Sequence, residues 1–307
     1  MLGGTLLLSS CVSMTLEQTA ALIANPPADL PAVVEHSDVP FYPQTRDHCG
    51  PAALATVLRH VGFSATPEQL SDTVFLPARE GTLQTEMLTG ARRAGAVAVR
   101  LPPQLDALLR ELAAGHAVVI LQNLGLSFAP LWHYAVVIGY DTPNHQLLLR
   151  SGSTERERMS WRTFEHTWAR SGRWAFVALR PGQLPAMARE DDAVQGVLGF
   201  ERVAPPDQAV QAWDGVLARW PHSLVAAMGV GNARMAAGDA AGAAAAFDAA
   251  ARAHDSAAAW NNLAEARLAL GQREAARAAA RRAVARAEQA EPAWLDATRQ
   301  TLARVGP

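Results

Sequence analysis

Residues 44–54 read QTRDHCGPAAL, which sets a cysteine between a polar loop and a Gly-Pro-Ala-Ala helix start. A packing thiol sits among apolar neighbours, whereas Cys49 follows Gln44, Thr45, Arg46, Asp47 and His48. A helix N-terminus brings partial positive charge and backbone N–H groups to the sulfur, lowering the thiol pKa and populating the nucleophilic thiolate. Pro51 suits the first helical turn and Gly50 permits close backbone approach. Far downstream, LWHYAVVIGYD places His133 at the mouth of an otherwise apolar strand. There the sheet holds the imidazole while its edge stays available, as a general base for a thiol requires. The two residues together suggest acyl transfer through a Cys-His pair.

Helices and strands must position that pair. GPAALATVLRHVG, TLQTEMLTGARRAG and PQLDALLRELAAG space apolar residues at helical intervals and end in Gly. AVVILQN, HYAVVIGYD, HQLLLRS and RWAFVALR are short apolar runs bounded by turn residues, with Thr142-Pro143-Asn144 joining the second to the third. Helices precede strands, which predicts an α+β domain with an antiparallel sheet. Beyond the connector PGQLPAMAREDD the strand pattern ends, and residues 193–305 are alanine-rich and helical. Gly231, Gly238, Ala243, Phe247 and Ala250 line up with Ala264, Gly271, Ala276, Ala280 and Ala283, close to the ~34-residue period of tetratricopeptide repeats. Ala209, Trp213 and Pro221 mark a partial earlier unit.

The 307 residues carry a formal charge of −2, which offers no basic field for phosphate backbones, so no nucleic-acid partner is expected. Nine histidines occur without a Cys-x-x-Cys or His-Glu-x-x-His spacing, so neither a metal nor another cofactor is expected. MLGGTLLLSSCVS is an apolar run too short to span a bilayer, which takes about 20 residues, and it has the form of a signal peptide end. Leu-Ser-Ser-Cys resembles the bacterial lipobox, and Cys11 is the expected lipidation site. With Cys11 lipidated, Cys49 is the one other cysteine and remains a thiol in an oxidising compartment.

Gln-x-x-x-x-Cys-Gly-Pro-Ala-Ala-Leu followed by Trp-His-Tyr-Ala-Val-Val-Ile-Gly-Tyr-Asp resembles the bacteriocin-processing type of papain-like cysteine peptidase. With the lipobox and the repeats, the whole chain is similar to bacterial lipoproteins that join such a peptidase to C-terminal tetratricopeptide repeats. The resemblance implies Cys49 as nucleophile, His133 as base, and Gln44 as side-chain donor to the oxyanion beside the backbone N–H at the nucleophile. Where the family carries Asp-Pro after the next strand, this chain has Arg150-Ser151-Gly152. Ser151 is therefore the candidate for orienting the imidazole, and Asp141 is expected to lie too far along the strand to reach it. The organisation expected is a signal peptide over 1–13, a tether over 14–38, a papain-like peptidase domain over 39–185 and helical repeats over 190–307. The function implied is a lipid-anchored cysteine peptidase of the bacterial envelope, facing the periplasm from the outer membrane. It would cleave a peptide or protein, with a protein partner on the repeats. The alternative is an adaptor that keeps the fold for binding.

Overall fold

The computed structural model describes residues 16–43, 48–79 and 81–306. Along the first part of the chain run α1 (Glu17–Ala24), β1 (Val33–Glu35), α2 (Cys49–His60), α3 (Pro67–Val74), α4 (Gln84–Arg93), β2 (Val97–Arg100), α5 (Leu105–Ala113), β3 (Val118–Asn123), β4 (Trp132–Asp141), β5 (Gln146–Ser151), β6 (Thr154–Ser160), α6 (Trp161–Ala169) and β7 (Ala175–Leu179). The strands form one antiparallel sheet in the order β2-β7-β3-β4-β5-β6, and β1 pairs with the far end of β4. The four strands expected from sequence are β3, β4, β5 and β7.

Each face of the sheet carries its own apolar layer. Tyr134, Val136 and Ile138 of β4 pack with Leu54, Leu58 and Met87 from α2 and α4. Ala135 and Val137 pack on the other face with Leu108, Leu112, Phe164 and Trp168 from α5 and α6. This is the period-2 alternation of a strand buried on both sides. The α2 layer is tight because Cys49 to Leu58 are all buried.

The segment read as a tether over 14–38 is, from Glu17 onward, part of this domain. The buried Glu165 carboxylate accepts from the Thr19 backbone N–H at 2.8 Å and the Gln18 N–H at 3.2 Å. Val33–Glu35 pairs with Gly139–Asp141, and a Cβ at Gly139 would collide with the Val34 carbonyl oxygen. Three residues are too few to show a strand's alternation, which is why composition read this stretch as a linker.

The edge strand β6, TERERMS, is largely solvated and charged, a pattern that blocks edge-to-edge pairing. The other edge, β2, is covered by α7 (Glu190–Glu201). The helices α8 (Pro206–Arg219), α9 (Leu224–Ala236), α10 (Ala240–His254), α11 (Ala257–Ala269), α12 (Arg273–Ala290) and α13 (Leu295–Val305) follow, each packed against the next. Gly231 and Gly229 have the close approaches that small residues serve: a Cβ would strike the Phe247 ring at the first and the Trp213 ring at the second. Gly238 and Gly271 end helices with φ of 81° and 73°, conformations L side chains rarely adopt. The fold is an α+β domain with an antiparallel sheet, followed by an all-α repeat region.

The connector between the two parts is fixed. The buried Glu111 carboxylate of α5 accepts from the Met187 N–H at 2.6 Å and the Ala186 N–H at 3.1 Å, and bonds His116 Nδ1 at 2.8 Å. Val97 and Val99 of β2 join Val197, Phe200 and Trp213 in a single apolar cluster. No helix among the described residues is long and apolar enough to cross a membrane.

Candidate active site

Cys49 is the first residue of α2, and His48 before it stacks its ring on Phe75 at 5.0 Å between centroids. Its side of the helix faces a cleft of about 1070 Å³ that it lines together with Thr82, Gln84, Leu121, Trp132 and Tyr134. Gly50 is where the cleft wall meets the helix, since a Cβ there would collide with the Thr82 side chain. Cys49 is 9% exposed, enough for the sulfur to border the cleft. Burial, and then the Cys49 charge beside it, push the Tyr134 phenol well up, so this hydroxyl stays a neutral donor near the sulfur.

His133 lies between Trp132 and Tyr134 on β4, and alternation turns it to the opposite face from them. Its cross-strand partner there is Gln122, whose Nε2 donates to Thr167 Oγ1 at 2.6 Å. His133 Nε2 meets Ser151 Oγ at 3.0 Å. That bond fixes the ring and leaves Nδ1 for a second partner. Burial lowers the His133 pKa from 6.5, and the Glu157 carboxylate on β6 partly offsets this. Burial thus favours the neutral ring.

The structure thus brings His133 and Ser151 together on one face of β4, and places Cys49 and Tyr134 on the cleft at its other face. Asp141 is at the other end of that strand, where its carboxylate accepts from Asn144 N at 3.1 Å and Nδ2 at 2.9 Å and closes the turn. Gln44 and Cys11 lie outside the described residues.

Three contributors were missed in the sequence. Tyr134 gave a signal, since it alternates with His133 and so must face the layer that α2 covers. Glu157 gave none beyond being acidic in a charged edge strand. Arg150 is buried, and its Nε and Nη2 donate to the Val39 carbonyl at 3.1 and 2.7 Å while Nη1 donates to the Glu155 carbonyl at 2.7 Å. It holds the chain at Val39, ahead of α2, and only the pairing of β5 reveals it.

No curated protein matches the chain. Among solved structures, one described as a C39-like peptidase from Bacillus anthracis aligns at 20% identity over 49% of this chain and 98% of its own, with a TM-score of 0.42. The peptidase domain of Streptococcus ComA, a bifunctional ABC transporter involved in a quorum-sensing pathway, aligns at 23% identity over 46% of this chain and 99% of its own, TM-score 0.37. The Sgt2 TPR domain from Aspergillus fumigatus aligns at 17% identity over 38% of this chain and 76% of its own, TM-score 0.35. Residues 36–176, which carry Cys49, His133 and Ser151, match the Peptidase_C39 like family.

Proposed function

We propose that the chain is a cysteine peptidase that cleaves a peptide or protein through an acyl-enzyme. The observation that carries this reading is Cys49 at the first position of α2 on a cleft whose wall includes Tyr134, the strand neighbour of an imidazole that Ser151 holds on the other face of β4. Cys49 Sγ attacks the scissile carbonyl carbon while its proton passes to His133 Nδ1. The oxyanion is met by the Cys49 N–H and the Gln44 side-chain amide, donors of a kind worth about 3 to 4 kcal/mol each when removed. The amine leaves with the proton from His133, and water then hydrolyses the thioester. His133 projects from the other face of β4, so this reading requires the ring to reach the sulfur at the Trp132 end of the strand. Burial favours the neutral ring, the form in which His133 can accept a proton during attack.

A second reading, an adaptor that grips a peptide without turnover, draws on one feature: a hydroxyl stands where the family has a carboxylate, and hydroxyls do not stabilise imidazolium as carboxylates do. On either reading the helical repeats offer a surface for a protein partner, and Cys11 lipidation would hold the molecule at the envelope. A stoichiometric reaction of Cys49 with a peptidyl thiol reagent at neutral pH, together with hydrolysis of a peptide library lost in Cys49→Ala, is the expected result. Labelling without any hydrolysis would leave the adaptor.

A further inference from the structure

Where α7 meets the edge of the sheet, three guanidinium groups line one cavity of about 400 Å³: Arg92 from α4, Arg100 ending β2 and Arg202 just past α7. One carboxylate, Asp192, is in the lining, and it already accepts from Arg189 Nε at 2.7 Å. Arg92 is half-buried, and its Nε is enclosed with no hydrogen-bond partner among the described residues. Burial lowers the Arg92 pKa, and so does the like charge of Arg202 facing it. Burial also lowers that of Arg100, whose guanidinium leans over the Trp174 ring at 5.4 Å. The cavity exists because α7 presents bare backbone on this side. A Cβ at Gly199 would collide with the Arg92 guanidinium, and one at Gly196 with the Val99 side chain.

Converging cations repel, and their desolvation is offset only by an anion between them. Three guanidinium groups against one carboxylate leave two positive charges in the lining. Planar forks of N–H donors fit phosphate oxygens in bidentate fashion. The volume falls within the roughly 300–1,000 Å³ of small-molecule sites. We propose that this cavity binds a phosphate dianion, as inorganic phosphate or as a small phosphomonoester, and that the bound anion ties α7 to the sheet edge.

The test uses the full chain. Titration calorimetry with inorganic phosphate at constant ionic strength is expected to show one saturable site, and melting is expected to shift upward with phosphate but not with chloride. Arg202→Gln, at an exposed side chain, is expected to weaken binding about tenfold, the scale of losing one charge-assisted contact. Arg202→Glu sets an internal carboxylate against Arg92 and is expected to abolish the phosphate-dependent shift while retaining the circular dichroism of the parent. Glycerol phosphate binding as tightly as inorganic phosphate identifies a monoester site, and its exclusion identifies inorganic phosphate. The absence of saturable binding, or an unchanged response in both Arg202 variants, overturns the proposal.

Discussion

The imidazole of His133 has one nitrogen engaged, and that decides what each substitution around it does. Ser151→Ala removes a neutral hydrogen bond and is expected to lower kcat/KM by about 1 kcal/mol's worth, roughly fivefold, while Cys49→Ala and His133→Ala each abolish turnover. Ser151→Asp sets a carboxylate against Nε2; it is expected to preserve or raise the rate and to move the acid limb of the pH profile upward. In the parent, burial depresses the His133 pKa, so the acid limb of kcat/KM should fall below the ordinary value of 6.5, and Glu157→Gln should shift it lower still. The same shift acts on stability. The unfolded chain takes up the proton first, so full stability is present above about pH 6.5 and falls as the pH drops from there toward the depressed folded value. An acid limb above 6.5, or one indifferent to both Ser151→Asp and Glu157→Gln, would remove His133 from the proton path. Cys49, His133 and Ser151 were legible as residue types in recognisable spacing. The facing of Tyr134 followed from its alternation with His133, whereas the nearness of Glu157 was not legible, because it depends on which strand pairs with which.

At the scale of elements, the buried Glu111 carboxylate is the joint between α5 and the connector. Glu111→Ala leaves the Ala186 and Met187 N–H groups without an acceptor and is expected to cost about 3 kcal/mol, from penalties of ~1–3 kcal/mol per orphaned group, read as a lower urea midpoint with unchanged slope. Glu111→Gln keeps one acceptor and should recover part of it. Gly231→Val forces α9 away from Phe247 and is expected to destabilise by an amount comparable to other overpacked cores, about 1–3 kcal/mol. The repeat register was legible because Gly231, Phe247 and their counterparts are spaced by helix packing itself. The long apolar strands were legible for the same kind of reason. β1, β2 and β6 were not, since the first is three residues long, the second four, and the third alternates charge rather than hydrophobicity.

Taken whole, the molecule is less divisible than its change of composition at residue 180 suggests. Val97 and Val99 share a core with Phe200 and Trp213, so a fragment of residues 190–307 exposes the face of α7 that covers β2. The fragment is expected to be helical by circular dichroism but to melt well below the full chain, and a chain ending at residue 185 is expected to associate through the uncovered edge of β2. Equal melting temperatures for the fragment and the full chain would mean that this shared core contributes nothing. Local pattern reveals where helices replace strands. It does not reveal which helix closes the sheet, because that contact joins positions about a hundred residues apart.

The strand order also sets a schedule for synthesis. β2 at residues 97–100 has its one strand partner in β7 at residues 175–179, and its cover in the helix that follows. While the chain emerges from the ribosome, the Cys49 helix and the first strands are made long before the segment that completes their sheet. The half-made domain must therefore wait, with one edge open, for roughly another eighty residues. Such late, distant pairings are slow to form and prone to aggregation. Translation stalled between residues 120 and 170 should yield a nascent chain sensitive to protease, and release past residue 201 should make it resistant.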